Sequence, residues 1–181
     1  FLALAEESFK PLRAREQREW LDRIAREIEN FRAALTWATE QKLPDAFRMV
    51  PENYRSWVRR AHVAEAREWF SRLLDAIPKD QSRRDRSRVL RAVGQLAVRQ
   101  GDLDGAERLY RESLALFREL DDARGLVYLQ TNLALLEMAR GRYGDAEPLL
   151  EKCADLGRAI GEVFLVAVNL GNLAIVAHAR G

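Results

Sequence analysis

Arg48 and Arg88 stand forty residues apart, as do Arg59 and Arg99, and Arg55 and Arg91 lie between them. A guanidinium is planar, forked and always charged. Several on one surface suit carboxylates and phosphates rather than proton transfer. The same residues could equally form a solvated helix face, each arginine meeting a glutamate of its own chain. Groups suited to catalysis are sparse. His62 and His178 are the only histidines, and no Cys/His set has metal-ligand spacing. The single cysteine, Cys153, is expected to be a buried, inert thiol. There is no GxxxxGK[ST] and no glycine-rich phosphate loop. No catalytic residue, metal or cofactor is expected within this chain.

A repeat would position those arginines. TNLALLEMARG (Thr131–Gly141) returns forty residues later as GNLAIVAHARG (Gly171–Gly181), and RQGDLDGAERLY (Arg99–Tyr110) aligns with ARGRYGDAEPLL (Ala139–Leu150). Ala66, Ala106 and Ala146 share a register, as do Val93, Leu133 and Leu173, and Gly94, Ala134 and Ala174. Each unit reads as two amphipathic helices: Ala106, Leu109, Tyr110, Leu114 and Phe117 fall on one face of a 3.6-residue period. Gly101 ends one helix and Asp102 can cap the next, with Asp121 expected to do the same before the following unit. Arg140 and Arg180 sit favourably near helix C-termini.

Composition agrees with a helical fold. The chain has 181 residues, 48% hydrophobic and 32% charged, with 10 Gly and 5 Pro, which is too apolar for disorder. Its net charge is +2, but residues 1–100 sum to +6 and residues 101–181 to −4. No run of eighteen apolar residues is present, so no membrane-spanning helix is expected. Glu6 and Glu7 follow the N-terminus without a basic region, so no secretory leader is expected. A start without Met and an end on a repeat motif point to a segment of a longer polypeptide. One cysteine and no leader point to the cytoplasm.

The large–small pairs Val93-Gly94, Leu133-Ala134 and Leu173-Ala174, a turn glycine seven residues after each small residue and an alanine twelve residues after the first two (Ala106 and Ala146) resemble the tetratricopeptide repeat. Phe70, Tyr110 and Leu150 also fit. The forty-residue period resembles the longer-helix variants of that family. The large residue near the start of the first helix is Val50, Leu90, Gln130 and Leu170 here, never tryptophan. WLDRIAREIENFRAALTWA (Trp20–Ala38) resembles the helical connector that precedes such arrays in bacterial signal-transduction ATPases of the STAND class, some of them transcriptional regulators. The expected fold is all-α: a right-handed superhelical solenoid of antiparallel helix pairs with a period of forty, preceded by a helical connector. The connector covers 1–43 and the array 44–181. Within the array come a degenerate unit at 45–79, units at about 83–120 and 122–160, and the first helix of a further unit at 162–180. Pro51 should kink or break the first helix of the degenerate unit. Asn30 could cap a segment starting at Phe31, and Trp20, Trp37, Trp57 and Trp69 are expected to pack the connector onto the first repeat.

In such a solenoid the first helix of each unit lines a concave groove. The candidate groove residues are Arg48, Arg55, Arg59, Arg88, Arg91, Gln95, Arg99, Tyr128, Asn132, Leu135 and Asn172. Thr131, Met138 and Ile175 fall on the same predicted face. The resemblance implies that asparagines at positions 132 and 172 clamp a peptide main chain. Bonds to a neighbouring helix are the other reading. The leading expectation is a non-catalytic protein-interaction or sensor module of a bacterial regulator. It would bind a peptide with an acidic segment, a partner domain or an effector. The alternatives are a nucleic-acid-binding repeat using RRDRSR (Arg83–Arg88), against which the near-neutral charge and the lack of interleaved aromatics argue, and a structural spacer. RRDRSR is otherwise expected to be a solvated helix start.

Overall fold

Seventeen residues of helix and three of turn recur from residue 83 onward in the computed structural model of the protein. The structure describes residues 26–43, 63–76, 78 and 83–181. Its helices are α1 (Ile28–Glu40), α2 (Val63–Ala76), α3 (Arg83–Arg99), α4 (Leu103–Glu119), α5 (Ala123–Ala139), α6 (Tyr143–Ala159) and α7 (Val163–Arg180). No strand occurs among the described residues. The fold is all-α, and the forty-residue period is two helices of equal length. The first helix of the degenerate unit, with Pro51, lies outside the described residues.

The turns explain the regular spacing. At each, the middle residue adopts a left-handed conformation, with φ of +79° at Gly101, +49° at Asp121, +75° at Gly141 and +72° at Gly161. The N–H of that residue and of the next return to the last turn of the preceding helix: Gly101 to Val98 and Asp102 to Ala97, both at 3.0 Å. The same pair closes the other three turns. This is the Schellman closure, which satisfies carbonyls that a helix end leaves open. Asp102 caps α4 by accepting from the Gly105 N–H at 2.9 Å. The cap of α5 is Asp122, accepting from Gly125 at 2.8 Å, and not Asp121. Asp121 instead takes the left-handed place that glycine holds elsewhere, because the three-residue spacing leaves only that place for it.

The chain forms two compact units, residues 1–96 and 97–181. In the first, α1 packs on α2. Phe31, Leu35, Ala66, Phe70 and Leu73 are buried, and Arg32 reaches Glu65 at 2.7 Å. Asn30 is not a cap: it lies in the first turn of α1 and donates to Glu27 at 2.6 Å. Trp37 is 59% exposed rather than packed. Trp69 is half-buried on α2 with Arg72 over its ring at 5.5 Å, and Trp20 and Trp57 lie outside the described residues.

RRDRSR does begin α3, with Arg83, Arg84 and Arg88 exposed. Arg86 departs from the expectation of a solvated start. It is buried and donates Nη1 to the Leu74 carbonyl in the last turn of α2 at 2.8 Å. A cation at that helix end meets both an open carbonyl and the negative pole of the dipole. Arg86→Met should lower stability in a urea titration by about 1.5 kcal/mol, the cost of leaving a buried carbonyl without a charged donor.

In the second unit α4, α5, α6 and α7 pack in chain order, and turns this short make neighbours antiparallel. One cluster holds Ala97, Ala106, Tyr110, Phe117, Leu129 and Leu136. A second holds Ala134, Ala146, Leu150 and Val176, and a third Val127, Cys153 and Leu165. Arg140, at the end of α5, binds Glu107 of α4 at 2.7 Å, and forty residues on Arg180 pairs with Glu147. The Arg140 guanidinium holds the Glu107 carboxyl below the usual carboxylate range. This contribution is present at neutral pH and is lost as pH falls through the lowered value.

Helix α7 is apolar along most of its length. Val163–Arg180 is long and apolar enough, by length and hydropathy alone, to cross a membrane. Asn169, Asn172 and His178 interrupt its apolar run without lowering its mean hydropathy below that of such a span. Within this unit the helix is a repeat element docked on α6 and α5.

Candidate functional site

The first helices of the repeats carry the candidate residues. Arg48, Arg55 and Arg59 lie outside the described residues. On α3, Arg88, Arg91, Gln95 and Arg99 fall at i, i+3, i+7 and i+11, one helix face. Arg88 and Arg99 are exposed, while Arg91 and Gln95 are half-buried. Arg88 meets Asp85 at 3.4 Å, one turn back.

In the second unit the surface belongs to α5 and α7, which touch. Tyr128 and Leu135 are half-buried on one face of α5, seven residues apart. Arg124 lies over the Tyr128 ring at 5.8 Å and pairs with Glu162 at 2.8 Å. On α7, Val168 is half-buried and Ile175 exposed at the corresponding positions, with Asn172 half-buried beside them. The result is an apolar strip with an amide at its edge.

The two matched asparagines occupy different environments. Asn132 is 4% exposed, inside the unit. Asn172 is half-buried on α7. Two other residues on the predicted face are also turned inward. Met138 packs against the Ala134–Leu150 cluster. Thr131 is buried, and its hydroxyl proton is shared between the Val127 carbonyl at 3.0 Å and Asn169 Oδ1 at 3.1 Å.

Asn169 is the residue that sequence reasoning missed. It is 0% exposed, accepts from Thr131 across the α5–α7 contact and donates Nδ2 to the Leu165 carbonyl at 2.8 Å. An asparagine four residues after leucine in an apolar helix was the available signal. A buried amide there needs a partner on another helix.

Cys153 sits under this link. Burial pushes its thiol up, and the hydrogen bond with Thr131 offsets that in part. A thiol that is both shielded and protonated is a poor nucleophile. In the native protein at pH 8, Cys153 should react with an aromatic disulfide reagent at least about a hundredfold more slowly than in urea. Equal rates in the two conditions would show that α5 and α7 do not shield it.

These helices define a class: a solenoid of helix pairs, a non-catalytic type of scaffold. Residues 87–120 and 127–160 each match the tetratricopeptide repeat family, so these two stretches are tetratricopeptide repeats, which as a class are protein-interaction modules. A search of curated proteins found no significant match. Among solved structures the chain is similar to a kinesin light chain-like protein of Podosopora anserina with nearly identical TPR-like repeats. Its Q17M form is 15% identical, with a TM-score of 0.67 over 99% of this chain and 85% of that one. A second structure of that protein is 14% identical, with a TM-score of 0.65 over 99% and 86% of the two chains. At these identities the likeness is one of fold.

Proposed function

We propose that the first-helix surface of α5 and α7 binds an extended segment of a partner protein. The observation that supports this reading most is the apolar strip of Tyr128, Leu135, Val168 and Ile175 edged by the Asn172 amide. Apolar side chains of a ligand would lie on the strip, and its main chain would exchange hydrogen bonds with Asn172. The arginine face of α3 (Arg88, Arg91 and Arg99, with Gln95) would take a separate, acidic segment. The module would serve a larger cytoplasmic regulator of the bacterial STAND type, where partner binding biases a switch located elsewhere. The connector-like sequence Trp20–Ala38 and the single cysteine support that setting. The domain limits 1–43 and 44–181 belong to the same proposal.

The test is selection from a random twelve-residue peptide library against the whole chain, followed by calorimetry. Asn172→Ala should weaken a selected peptide about fivefold to tenfold, the loss of one to two hydrogen bonds. Arg88→Glu and Arg99→Glu should weaken acidic peptides at low salt. Unchanged affinity in all three variants would exclude this surface. Steep salt-dependent binding to random DNA or RNA would favour a nucleic-acid reading instead.

A further inference from the structure

The start of α7 carries bulky apolar side chains where the matching helix starts carry charge. Val163 and Phe164 open the helix and are 79% and 51% exposed, with Ile160 exposed just before them. The register of forty puts Arg83 and Arg84 in these two places on α3, and Ala123 and Arg124 on α5. All four are exposed. Exposure here belongs to the position and not to the end of the sequence. Helix α5 is followed by α6 and α7, and Arg124 still keeps 61% of its side chain exposed with Glu162 against it at 2.8 Å. A further repeat laid on α7 in the same register would leave Val163 and Phe164 at the edge, as α6 and α7 leave Ala123 and Arg124. Adjacent bulky apolar residues at a position that stays open mark an interaction surface.

The Arg124–Glu162 pair also places the α4–α5 turn beside this patch, and that turn is acidic. Residues 118–124 (RELDDAR) hold three carboxylates and two guanidiniums, and residues 155–164 hold two carboxylates and one guanidinium, a net charge of −2 over the edge. Arg124 is held by Glu162, and Arg158 by Asp155 at 2.5 Å, while Glu119 and Asp121 are exposed. We propose that this edge docks a segment of a partner protein in which one or two bulky apolar side chains are flanked by lysine or arginine. The apolar side chains cover Val163 and Phe164, and the cations face Glu119 and Asp121. Acid beside the patch disfavours phosphate-bearing partners, nucleic acid and anionic lipid alike. This seat is separate from the strip beside Asn172, which lies eight residues, or about 12 Å, further along α7.

The test is selection from a random twelve-residue peptide library on the whole chain, discarding every peptide that still binds the Val163→Ser, Phe164→Ser double variant. Retained peptides should carry Leu, Phe or Trp next to Lys or Arg. In calorimetry Phe164→Ser alone should weaken a retained peptide at least about tenfold, as the loss of an apolar anchor does. Glu119→Gln with Asp121→Asn should weaken it about threefold at low salt and flatten its salt dependence. Asn172→Ala should leave it unchanged, so failure of this seat and failure of the strip are read separately. These positions are exposed, and circular dichroism should report unchanged helix content. No retained peptide, or retained peptides that are acidic, would overturn the proposal. So would an effect of Asn172→Ala as large as that of Phe164→Ser. Sedimentation showing a dimer of the chain alone that Phe164→Ser dissociates would assign the edge to a second copy. Binding to phosphatidylcholine vesicles that Phe164→Ser abolishes would assign it to a bilayer. Either result would overturn the partner segment.

Discussion

Gly125→Ala should destabilise the second unit by about 3 kcal/mol, at the upper end of what overpacking costs. Gly125 is the third residue of α5 and is buried. A Cβ built there would stand 2.3 Å from Cε1 and 2.4 Å from Cδ1 of Phe117. The Phe117 ring is itself buried among Tyr110, Leu129 and Leu136, so it has no free rotamer to turn into. At Gly105, one half-period earlier, the same Cβ would meet the Asp102 carboxylate. That side chain can swing outward, so only the cap is at stake. Thermal unfolding should therefore show a drop of on the order of 10 °C for Gly125→Ala. The decisive control is the pair with Phe117→Leu. The double variant should be at least about 1 kcal/mol more stable than the sum of the single losses, since leucine vacates the space the new methyl needs. Additive losses would show that the two residues do not collide.

Asn169→Ala should cost about 2.5 kcal/mol, combining a lost inter-helix hydrogen bond with a cavity at a fully buried site. The informative comparison is apolar replacement. Asn169→Leu alone restores volume but leaves the Thr131 hydroxyl without its partner on α7. Thr131→Val with Asn169→Leu removes donor and acceptor together and should recover most of the stability. If Asn169→Ala is neutral in a denaturant titration, the Thr131–Asn169 bond carries no weight in the α5–α7 contact. Recovery in the double variant would identify the pair as a device for register more than for stability, because an apolar pair can slide where a hydrogen-bonded pair cannot.

The helical architecture was legible because the sequence keeps one rule at many positions. Ala66, Ala106 and Ala146 are all buried, as are Phe70, Tyr110 and Leu150. A small residue every forty positions is the trace of two helix axes held close. The candidate site was less legible, because its exposure depends on what lies beside each helix and not on residue type. Asn132 and Asn172 occupy matched positions, yet one is buried between helices and the other is half-buried. Arg86 looks like its neighbours in RRDRSR, and only the position of the α2 carboxyl end turns it inward. Asp121 and Asp122 are identical in chemistry, and the three-residue turn alone decides which caps a helix and which bends the chain.

The packing order of the second unit also bears on how it comes apart. Among the described residues, helix α6 is held by neighbours on both flanks, whereas α7 is held on one. In a chain of elements that each grip only the next, opening begins where one grip is missing and proceeds inward. Backbone amides of α7 should therefore exchange with deuterium first, those of α6 and α5 later. A ligand seated on α7 would then protect amides of α6 that it never touches.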